Sequence, residues 1–284
     1  MMRLSSLHLY PIKSTRGLER DAAVVEPWGL EHDRRWMVVD EAGQNITART
    51  EQALFTITAT PGRDGGLVLT APDRPALRVP APLSGEPVPV GLSRLDRALS
   101  AGAAADAWVS AVLSRAARLV WLDDPQQREV GAHHGGTTTD VMNLADAGPL
   151  LLTSTASLTQ LNAWIAADLE ARSGKCGGEP DPEPLSMMRF RPNVVIDADR
   201  AGELRPFAED SWAAVRIGDV RFRTSELCDR CVMTTVDPVT LARDKEPIRT
   251  LARHRRWGGS TWFGSRLIPV TIGTIRVGDP VFVA

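Results

Sequence analysis

The feature that most constrains the fold is a series of short apolar runs, each ended by a turn signal. The runs LSSLHLYPI and RRWMVVD lie near the N terminus, and the polar stretch DEAGQN closes the second. Short runs that end at Gly, Asp, Asn or Pro are typical of β-strands. Three later stretches can return as hairpin partners, namely ITART, LFTITAT and GLVLTAP. About the first hundred residues are therefore predicted to be mostly strands.

Prolines are concentrated in residues 71–92, APDRPALRVPAPLSGEPVPVGL. Because proline has no backbone N–H to donate, it is confined within sheets to edge strands and the loops beside them. We therefore expect edge strands and loops in this segment. From FRPNVVIDA to GTIRVGDPVFVA, short strand-like runs again alternate with Gly, Asp and Pro, so the second half is also predicted to be rich in strands.

Three stretches depart from this pattern and predict helices. Residues 97–122 are rich in alanine and carry Trp108 and Leu113 at helical spacing. The stretch GPLLLTSTASLTQLNAWIAADLEARSG predicts a strand, a turn and a helix, in which Ser157 and Gln160 have capping-box spacing. The stretch DPVTLARDKEPIRTLARHRRW predicts a helical patch among the later strands. The predicted fold class is mainly β, of the α+β type, with a few peripheral helices.

Residues 123–140 are polar, carry HHGGTTTD in the middle, and predict a long loop between two domains. The predicted domains are therefore residues 1–122 and 123–284. A chain of 284 residues with 43% hydrophobic residues is long enough to bury the core that each of them needs.

The charge and the ends of the sequence bear on the partners and the compartment. A net charge of −2 gives no strong field that would favour nucleic acid or an anionic membrane. No run reaches the length of a membrane span, and the N terminus lacks the apolar region and cleavage site of a signal peptide. Three cysteines form a sparse, odd set, unlike a secreted disulfide scaffold. We expect a cytoplasmic protein with neither nucleic acid nor a membrane as a partner.

Cys228 and Cys231 stand at C-x-x-C spacing in LCDRCVMTTVDP. A structural zinc site usually needs two close pairs of ligands, and the chain has no second pair at that spacing. A dithiol redox motif normally opens a helix, whereas VRFRTSELC and CVMTTV on either side predict strands. An iron–sulfur cluster needs four cysteines, and only Cys176 remains. The spacing alone favours two buried cysteines that act as small hydrophobic residues, with zinc and dithiol chemistry left open.

Other motifs narrow the function further. No Walker loop, no G-x-G-x-x-G after a strand and no G-x-S-x-G occurs, so hydrolase and nucleotide-binding functions have little support. The five histidines show no metal-ligand spacing. The basic clusters GLEHDRRW and LARHRRW are typical of a solvated or ion-paired surface.

A set of stretches in a fixed order carries a more specific signal: LYPIKSTRG, GLEHDRRWMVVDEAGQNITARTE, DAGPLLLTSTASLTQLN, FRPNVVID, EDSWAAVRIGD, CDRCVMTTVDP and GTIRVGDPVFV. Together they resemble the MOSC-domain proteins that have an N-terminal β-barrel partner domain. More narrowly, they resemble the amidoxime-reducing-component group, molybdenum-cofactor enzymes that reduce N-hydroxylated compounds. The resemblance spans nearly the full chain. It implies a β-barrel-like domain over residues 1–122 and a β-barrel MOSC domain over residues 123–284, with the cofactor between them.

The resemblance also implies the site residues for molybdenum bound to a pterin dithiolene with a terminal phosphate. In the family, the second cysteine of C-x-R-C ligates the metal, so Cys231 is the predicted metal ligand and catalytic residue, and Cys228 has no direct role. Ala147 and Gly148 stand where hydroxyl residues are usual, which leaves only backbone contacts there. The residues that match cofactor contacts of the family are Lys13, Ser14, Arg34, Asp146, Ala147, Gly148, Arg191, Asn193 and Arg230.

Arg191 and Asn193 of FRPN match the family's phosphate-binding and pterin-binding pair. Arginine offers a rigid fork to phosphate, and asparagine offers both a donor and an acceptor to a pterin edge. The implied reaction is the two-electron reduction of an N–OH bond in hydroxylamines, amidoximes or N-hydroxylated bases.

The resemblance bears on the electron source as well. Many relatives carry a membrane anchor or a fused [2Fe–2S] domain, and this sequence shows neither. We therefore expect no intrinsic iron–sulfur cluster, and a separate electron-donor protein of ferredoxin, flavin reductase or cytochrome type. The alternative function is a carrier or storage protein for the molybdenum cofactor. Sulfur transfer to the cofactor is a weaker alternative, because no pyridoxal-phosphate domain is present.

Overall fold

The structure is a computed structural model that describes residues 1–173, 183–200 and 202–284. The strands of the first half are β1 (Met2–Leu9), β2 (Leu18–Arg20), β3 (Ala22–Glu26), β4 (Gly29–Leu30), β5 (Trp36–Val39), β6 (Thr58–Pro61), β7 (Leu67–Ala71), β8 (Arg74–Val79), β9 (Pro87–Leu92), β10 (Leu95–Ser100) and β11 (Arg118–Trp121). The strands of the second half are β12 (Leu150–Ser154), β13 (Val194–Ala198), β14 (Ala214–Ile217), β15 (Val220–Asp229), β16 (Arg256–Trp257), β17 (Ser260–Pro269), β18 (Gly273–Arg276) and β19 (Val281–Val283). The α-helices are α1 (Ala103–Leu113), α2 (Thr155–Ser173) and α3 (Ile248–His254).

The predicted fold class, mainly β with a few helices, is confirmed. The largest sheet runs in the order β19-β14-β15-β17-β12-β13-β1-β2, with β16 paired to β17. Its strand pairs are antiparallel except for β12 and β13, which are parallel because α2 crosses over between them. All residues of β12 are buried, as expected for a strand covered on both faces. None of the helices in the described ranges has the length and apolar character needed to cross a bilayer.

Three smaller sheets complete the fold. One is ordered β5-β11-β10-β9, one β6-β7-β8, and one β18-β3-β4. The proline-rich strands β8 and β9 lie at sheet edges, as the sequence predicts. Strand pairing crosses the expected division of the chain, since β1 pairs with β13 and β3 pairs with β18. The division between residues 122 and 123 stays a prediction.

The two largest hydrophobic clusters of the described residues support these sheets. The N-terminal core includes Ile12, Trp36, Ile46, Ala48, Leu54, Phe55, Leu69, Val109, Leu119 and, from the second half of the chain, Val236. The large-sheet core includes Leu4, Leu7, Leu150, Leu152, Val194, Ile196, Phe222 and Leu267. Because Val236 follows Cys231 by five residues, the segment after the cysteine pair is anchored in the core of the N-terminal half.

Two predicted helices are wrong in their bounds. Within residues 97–122 only α1 is helical, between strands β10 and β11, because Gly102 and Ser114 have positive φ angles of 91° and 53° at its two ends. Within the patch from Asp237 to Trp257 only α3 is helical. Asp237 Oδ1 accepts from the N–H groups of Val239 and Thr240 at 2.8 and 2.9 Å, so the chain turns there instead.

Three local predictions also fail in whole or in part. ITART pairs back with β5 only at its start, where Ile46 N–H donates to the Val38 carbonyl at 2.9 Å; from Thr47 it is a turn, in which the Thr47 carbonyl accepts from Thr50 N–H at 3.1 Å. CVMTTV forms a 3₁₀ helix, Val232–Thr235, which threonine hydroxyls stabilise by donating back to carbonyls of the same turn. The capping box is displaced, because Ser154 Oγ, not Ser157, accepts from a backbone N–H of the first turn of α2. Cys176 lies outside the described residues.

Glu209 is fully buried beside the start of α2. It accepts hydrogen bonds from Ser154 Oγ at 3.0 Å and from Ser157 Oγ at 2.6 Å. Burial raises the pKa of Glu209, and the bonds from the two serine hydroxyls only partly oppose this. The folded state therefore binds the proton more tightly than the unfolded state does, so the ionised carboxylate lowers stability as pH rises above the ordinary pKa.

We expect the free energy of unfolding of Glu209→Gln to rise, relative to that of the parent protein, as pH increases from about 4 to about 8. Glutamine keeps the shape of the side chain and cannot ionise, so it removes the penalty that develops above the ordinary carboxyl pKa. Urea unfolding of both proteins at the two pH values measures the difference in free energy of unfolding. A difference that stays constant with pH, or moves the other way, would contradict a raised pKa.

Candidate functional site

One cavity of about 250 Å³ lies between the N-terminal segments and the strands of the large sheet. The structure brings all ten sequence-predicted site residues to its wall. The N-terminal half contributes Lys13, Ser14 and Arg34; the loop before β12 contributes Asp146, Ala147 and Gly148; the segment before β13 contributes Arg191 and Asn193; the end of β15 contributes Arg230 and Cys231. Their roles stay predictions, but their convergence on one cavity is a property of the fold.

Asn193 holds three of these segments together. Its Nδ2 donates to the carbonyl of His8 in β1 at 3.2 Å. Its Oδ1 accepts from Arg34 Nη1 at 3.0 Å and from Leu151 N–H at 3.1 Å. Both ends of the amide are therefore used within the protein, so the side chain fixes the wall of the cavity and has less capacity for a pterin edge than the sequence suggests.

Three of the ten residues have left-handed backbone conformations. Their φ angles are 68° at Ser14, 45° at Arg34 and 55° at Arg191. Residues other than glycine rarely adopt positive φ, and such strain persists only where surrounding contacts enforce it. Here the contacts include a bond from Arg34 Nη2 to the Arg191 carbonyl at 3.2 Å. The backbone is thus held so that both guanidinium groups reach the same wall.

Tyr10, the only tyrosine of the chain, lies between these two arginines. The guanidinium carbon of Arg191 is 4.2 Å from the ring centroid, and that of Arg34 is 4.5 Å from it. Burial raises the pKa of Tyr10 to about 12, so the ring stays neutral. Stacking on an aromatic face is favourable for guanidinium groups and keeps the two like charges in fixed places.

Basic side chains outnumber acidic ones in the cavity wall. Two carboxylates of the described residues line it, Asp146 and Asp229. Against them stand seven basic side chains: Lys13, Arg34, Arg49, Arg189, Arg191, Arg230 and Arg266. A cleft lined by one sign of charge concentrates ligands of the other sign. The site is therefore suited to an anion.

Buried hydrogen-bond donors without partners also indicate an anionic ligand. Arg191 Nη2, Arg230 Nη2 and Arg189 Nε are buried and have no hydrogen-bond partner among the described residues. Burial lowers the pKa of Arg191 to about 10, so its guanidinium is still charged at neutral pH. A buried donor left unpaired is unfavourable by about 1–3 kcal/mol, more when charged, and an oxygen-rich ligand would supply the missing acceptors.

Lys13 and Asp146 form an ion pair in the cavity wall. Lys13 Nζ also donates to the Leu144 carbonyl at 2.8 Å, and Asp146 Oδ2 accepts from Arg49 Nη2 at 2.8 Å. Burial lowers the pKa of Lys13, and the Asp146 carboxylate opposes that shift. Burial alone would raise the pKa of Asp146, but Lys13 and Arg49 together hold it below its ordinary value. The Asp146 carboxylate therefore stays ionised at neutral pH beside its two basic partners.

The two cysteines occupy different environments. Cys228 is buried in β15, and its Sγ lies 3.6 Å from the Asp229 carbonyl. Cys231 is half-buried, begins the 3₁₀ helix Val232–Thr235 and lines the cavity; both thiols are free. In the described part of the chain, no three His, Cys, Asp or Glu side chains form a group that could hold a metal ion. Cys228 also lines the cavity wall but is only 6% exposed, so Cys231 is the more accessible of the two thiols.

Arg230 connects this thiol to the cavity wall. Its Nε donates to the Phe263 carbonyl at 2.9 Å and its Nη1 to the Phe190 carbonyl at 3.2 Å. Both bonds fix the guanidinium beside β17 and beside the segment that carries Arg191. Arg230 follows the last residue of β15, where the register between β15 and β17 is irregular after Leu227.

Apart from Cys228, five further charged or titratable side chains in the cavity wall were not predicted as site residues: Arg49, His134, Arg189, Asp229 and Arg266. Arg189 adjoins FRPN, so the resemblance could have indicated it. His134 comes from the HHGG loop, and Arg49 from the ITART stretch. Nothing in local sequence periodicity distinguishes these two from surface residues, since long-range folding places them.

Comparison with known proteins identifies two families. The MOSC N-terminal beta barrel domain matches residues 1–116, and the MOSC domain matches residues 131–282. The expected domain boundary between residues 122 and 123 lies between these ranges.

Individual relatives agree with these matches. The chain is 33% identical to mitochondrial amidoxime-reducing component 1 of Mus musculus, over 98% of this chain and 81% of that protein. It is 31% identical to the Homo sapiens protein of the same name, with coverages of 98% and 82%. Against the molybdenum cofactor sulfurase of Danio rerio it is 30% identical, over 92% of this chain but 31% of the sulfurase. The cytoplasmic location of this chain stays a prediction.

The MOSC match alone covers more than half of the chain, and the similarity to amidoxime-reducing components extends over nearly all of it. The chain therefore belongs to the MOSC-domain family, in the form that carries a MOSC N-terminal β-barrel domain, and is a relative of the mitochondrial amidoxime-reducing components.

Proposed function

We propose that the protein is a molybdenum-cofactor-dependent reductase of N-hydroxylated compounds. The observation that carries the proposal is the pairing, in one cavity, of unpartnered buried guanidinium nitrogens with the accessible thiol of Cys231. The first feature suits an anionic group and the second suits a soft metal. Few ligands other than a metal carried by a phosphorylated organic cofactor need both.

The side chains present fit such a cofactor. Arg191 and Arg230 have buried N–H groups to offer to a phosphate or to pterin oxygens, and Lys13 and Arg34 add positive charge. Cys231 offers one thiolate, and one is sufficient when a dithiolene supplies two more sulfurs. Ala147 and Gly148 can contribute only backbone N–H groups, so the family's hydroxyl contacts are missing at this place.

When bound, the cofactor supplies a molybdenum centre that transfers two electrons to the N–O bond; with two protons, the products are the reduced nitrogen compound and water. The residues of this chain would bind and orient that cofactor. Cys231 holds the metal end, the arginine-rich wall holds the anionic end, and Tyr10 keeps Arg34 and Arg191 in place. Phe190 and Met233 add apolar surface to the wall and limit the entry of water.

The proposal requires an electron source. The described residues contain no cluster of cysteines that could hold iron and sulfur, since only Cys228 and Cys231 are among them. We therefore propose a separate one-electron donor protein of ferredoxin, flavin reductase or cytochrome type. Hydroxylamines, amidoximes and N-hydroxylated bases are the proposed substrates.

The test is cofactor analysis followed by turnover. Protein purified from a host that makes the cofactor is expected to contain about one molybdenum per chain. It should release a fluorescent pterin on oxidation and reduce benzamidoxime with an artificial electron donor. Protein from a host unable to make the cofactor is the negative control. Full zinc occupancy without pterin would refute the proposal, whereas bound pterin without reduction would favour the carrier function.

A further inference from the structure

Arg49 contacts two side chains of the cavity wall, those of Cys231 and Asp146. Its Nε donates to Cys231 Sγ at 3.5 Å, and its Nη2 donates to Asp146 Oδ2 at 2.8 Å. The Arg49 side chain is 42% exposed and lines the cavity. Because the guanidinium group is planar, two bonds from different nitrogens fix its orientation as well as its position.

The N-terminal core sets this position. Ile46 and Ala48 are buried in that core, and Ile46 N–H donates to the Val38 carbonyl of β5 at 2.9 Å. The turn that starts at Thr47 then directs Arg49 outward, towards the cavity. A buried, hydrogen-bonded attachment of this kind gives little freedom to the residue that follows.

The same core also holds the segment that carries Cys231. Val236 belongs to the N-terminal core, and Met233 packs against it. Arg49 and Cys231 are therefore anchored on either side of their contact by one hydrophobic cluster, although they are 182 positions apart in the chain. A chance pairing of two mobile surface side chains would have no such support.

We propose that Arg49 is a positioning residue for Cys231, by which the N-terminal domain completes the metal end of the site. The inference rests on the proposed function. The N–H group that points at Sγ orients the sulfur towards the cavity and withdraws electron density from it. The positive charge favours the more electron-rich, reduced state of a metal held by that sulfur. Arg49 thereby adjusts the reduction potential of the bound metal.

Arg49→Gln is expected to lower the reduction potential of bound molybdenum, to change its electron paramagnetic resonance signal, and to reduce turnover by about 10–100-fold. The glutamine keeps a polar side chain but removes the positive charge and the planar fork. Arg49→Lys keeps the positive charge but lacks the planar guanidinium group. Its reduction potential should therefore lie close to that of the parent protein, while its electron paramagnetic resonance signal should resemble the parent signal less closely. Arg63→Gln, at an exposed position of the same half of the chain, is the matched control and should change nothing.

Asp146→Asn removes the negative charge beside Arg49 but keeps an oxygen that can accept from Arg49 Nη2, so the guanidinium group stays in place beside Cys231. If Arg49 acts through Cys231, this variant keeps the reduction potential and the signal of the parent protein more closely than Arg49→Gln does. The inference would be overturned if Arg49→Gln left both the reduction potential and the electron paramagnetic resonance signal unchanged. It would also be overturned if Asp146→Asn changed them as much as Arg49→Gln does. A parent protein that binds molybdenum without reducing benzamidoxime would refute the reductase function alone, since the potential of Arg49→Gln could still be compared.

A second measurement serves if Arg49→Gln binds too little molybdenum. Full-length protein without cofactor is alkylated by iodoacetate, an anion, and by iodoacetamide, which is neutral. Mass spectrometry of the Cys231 peptide gives both rates. The ratio of the iodoacetate rate to the iodoacetamide rate reports the charge beside Sγ, because the fraction of thiolate affects both rates equally. The ratio should fall severalfold in Arg49→Gln and stay unchanged in Arg63→Gln; an unchanged ratio in both variants would overturn the inference.

Discussion

Replacement of Cys231 by serine is expected to abolish the reduction of N-hydroxylated compounds. Cys231 is the half-buried thiol that the described structure offers to the cavity wall, with Arg49 Nε 3.5 Å from its sulfur. A serine hydroxyl is a harder and poorer ligand for this metal than a thiolate. Turnover of benzamidoxime per bound pterin measures the effect, and pterin content shows separately whether the rest of the cavity still binds.

Cys228→Ser is the matched control, three residues away in the same motif. Its thiol is buried in the cavity wall and donates to the Asp229 carbonyl, a contact that a serine hydroxyl can also make, so the substitution lowers stability only modestly. Turnover per bound pterin should remain close to that of the parent protein. Equal losses in both variants, with activity that follows formation of a Cys228–Cys231 disulfide, would instead indicate dithiol chemistry.

The residues of the candidate site could be predicted from the sequence because they lie in five short stretches with characteristic composition. YPIKS, DRRW, DAGP, FRPN and C-x-R-C are spread along the chain, and pairing of β1 with β13 and of β12 with both β13 and β17 helps to bring them together. No local pattern predicts those pairings. The resemblance to a family supplied the order of the stretches, and thus the convergence that periodicity alone could not give.

The dependence of the fold on contacts between distant parts of the chain also explains the wrong predictions. Alanine and apolar spacing in residues 97–122 extend the helical pattern across β10 and β11, whose burial depends on partners elsewhere in the chain. The composition of CVMTTV predicts a strand, whereas its threonine hydroxyls donate to carbonyls of the same turn and stabilise a 3₁₀ helix. Arg49 was missed because its role depends on a turn that follows two buried residues, and an exposed arginine next to threonines has no distinguishing signal.

Replacement of Arg191 by alanine is expected to reduce cofactor content much more than turnover per bound cofactor. The side chain is 7% exposed, donates to the Thr15 carbonyl at 2.6 Å, stacks on Tyr10, and has a buried Nη2 without a partner among the described residues. One charge-assisted hydrogen bond contributes roughly 1.5–3 kcal/mol, so affinity should fall at least about tenfold. Molybdenum content and activity per molybdenum are measured together.

Controls separate this loss from an effect on folding. Alanine at position 191 has the same Cβ as arginine, so the positive φ of 55° adds no new backbone strain. Arg200→Ala, at an exposed position beyond the end of β13, should leave cofactor content unchanged. Arg191→Lys keeps the charge but not the fork, so its cofactor content should be intermediate. Full occupancy with lost turnover in Arg191→Ala would mean that Arg191 meets the substrate. Full occupancy with unchanged turnover would mean that its free N–H group has no ligand at all.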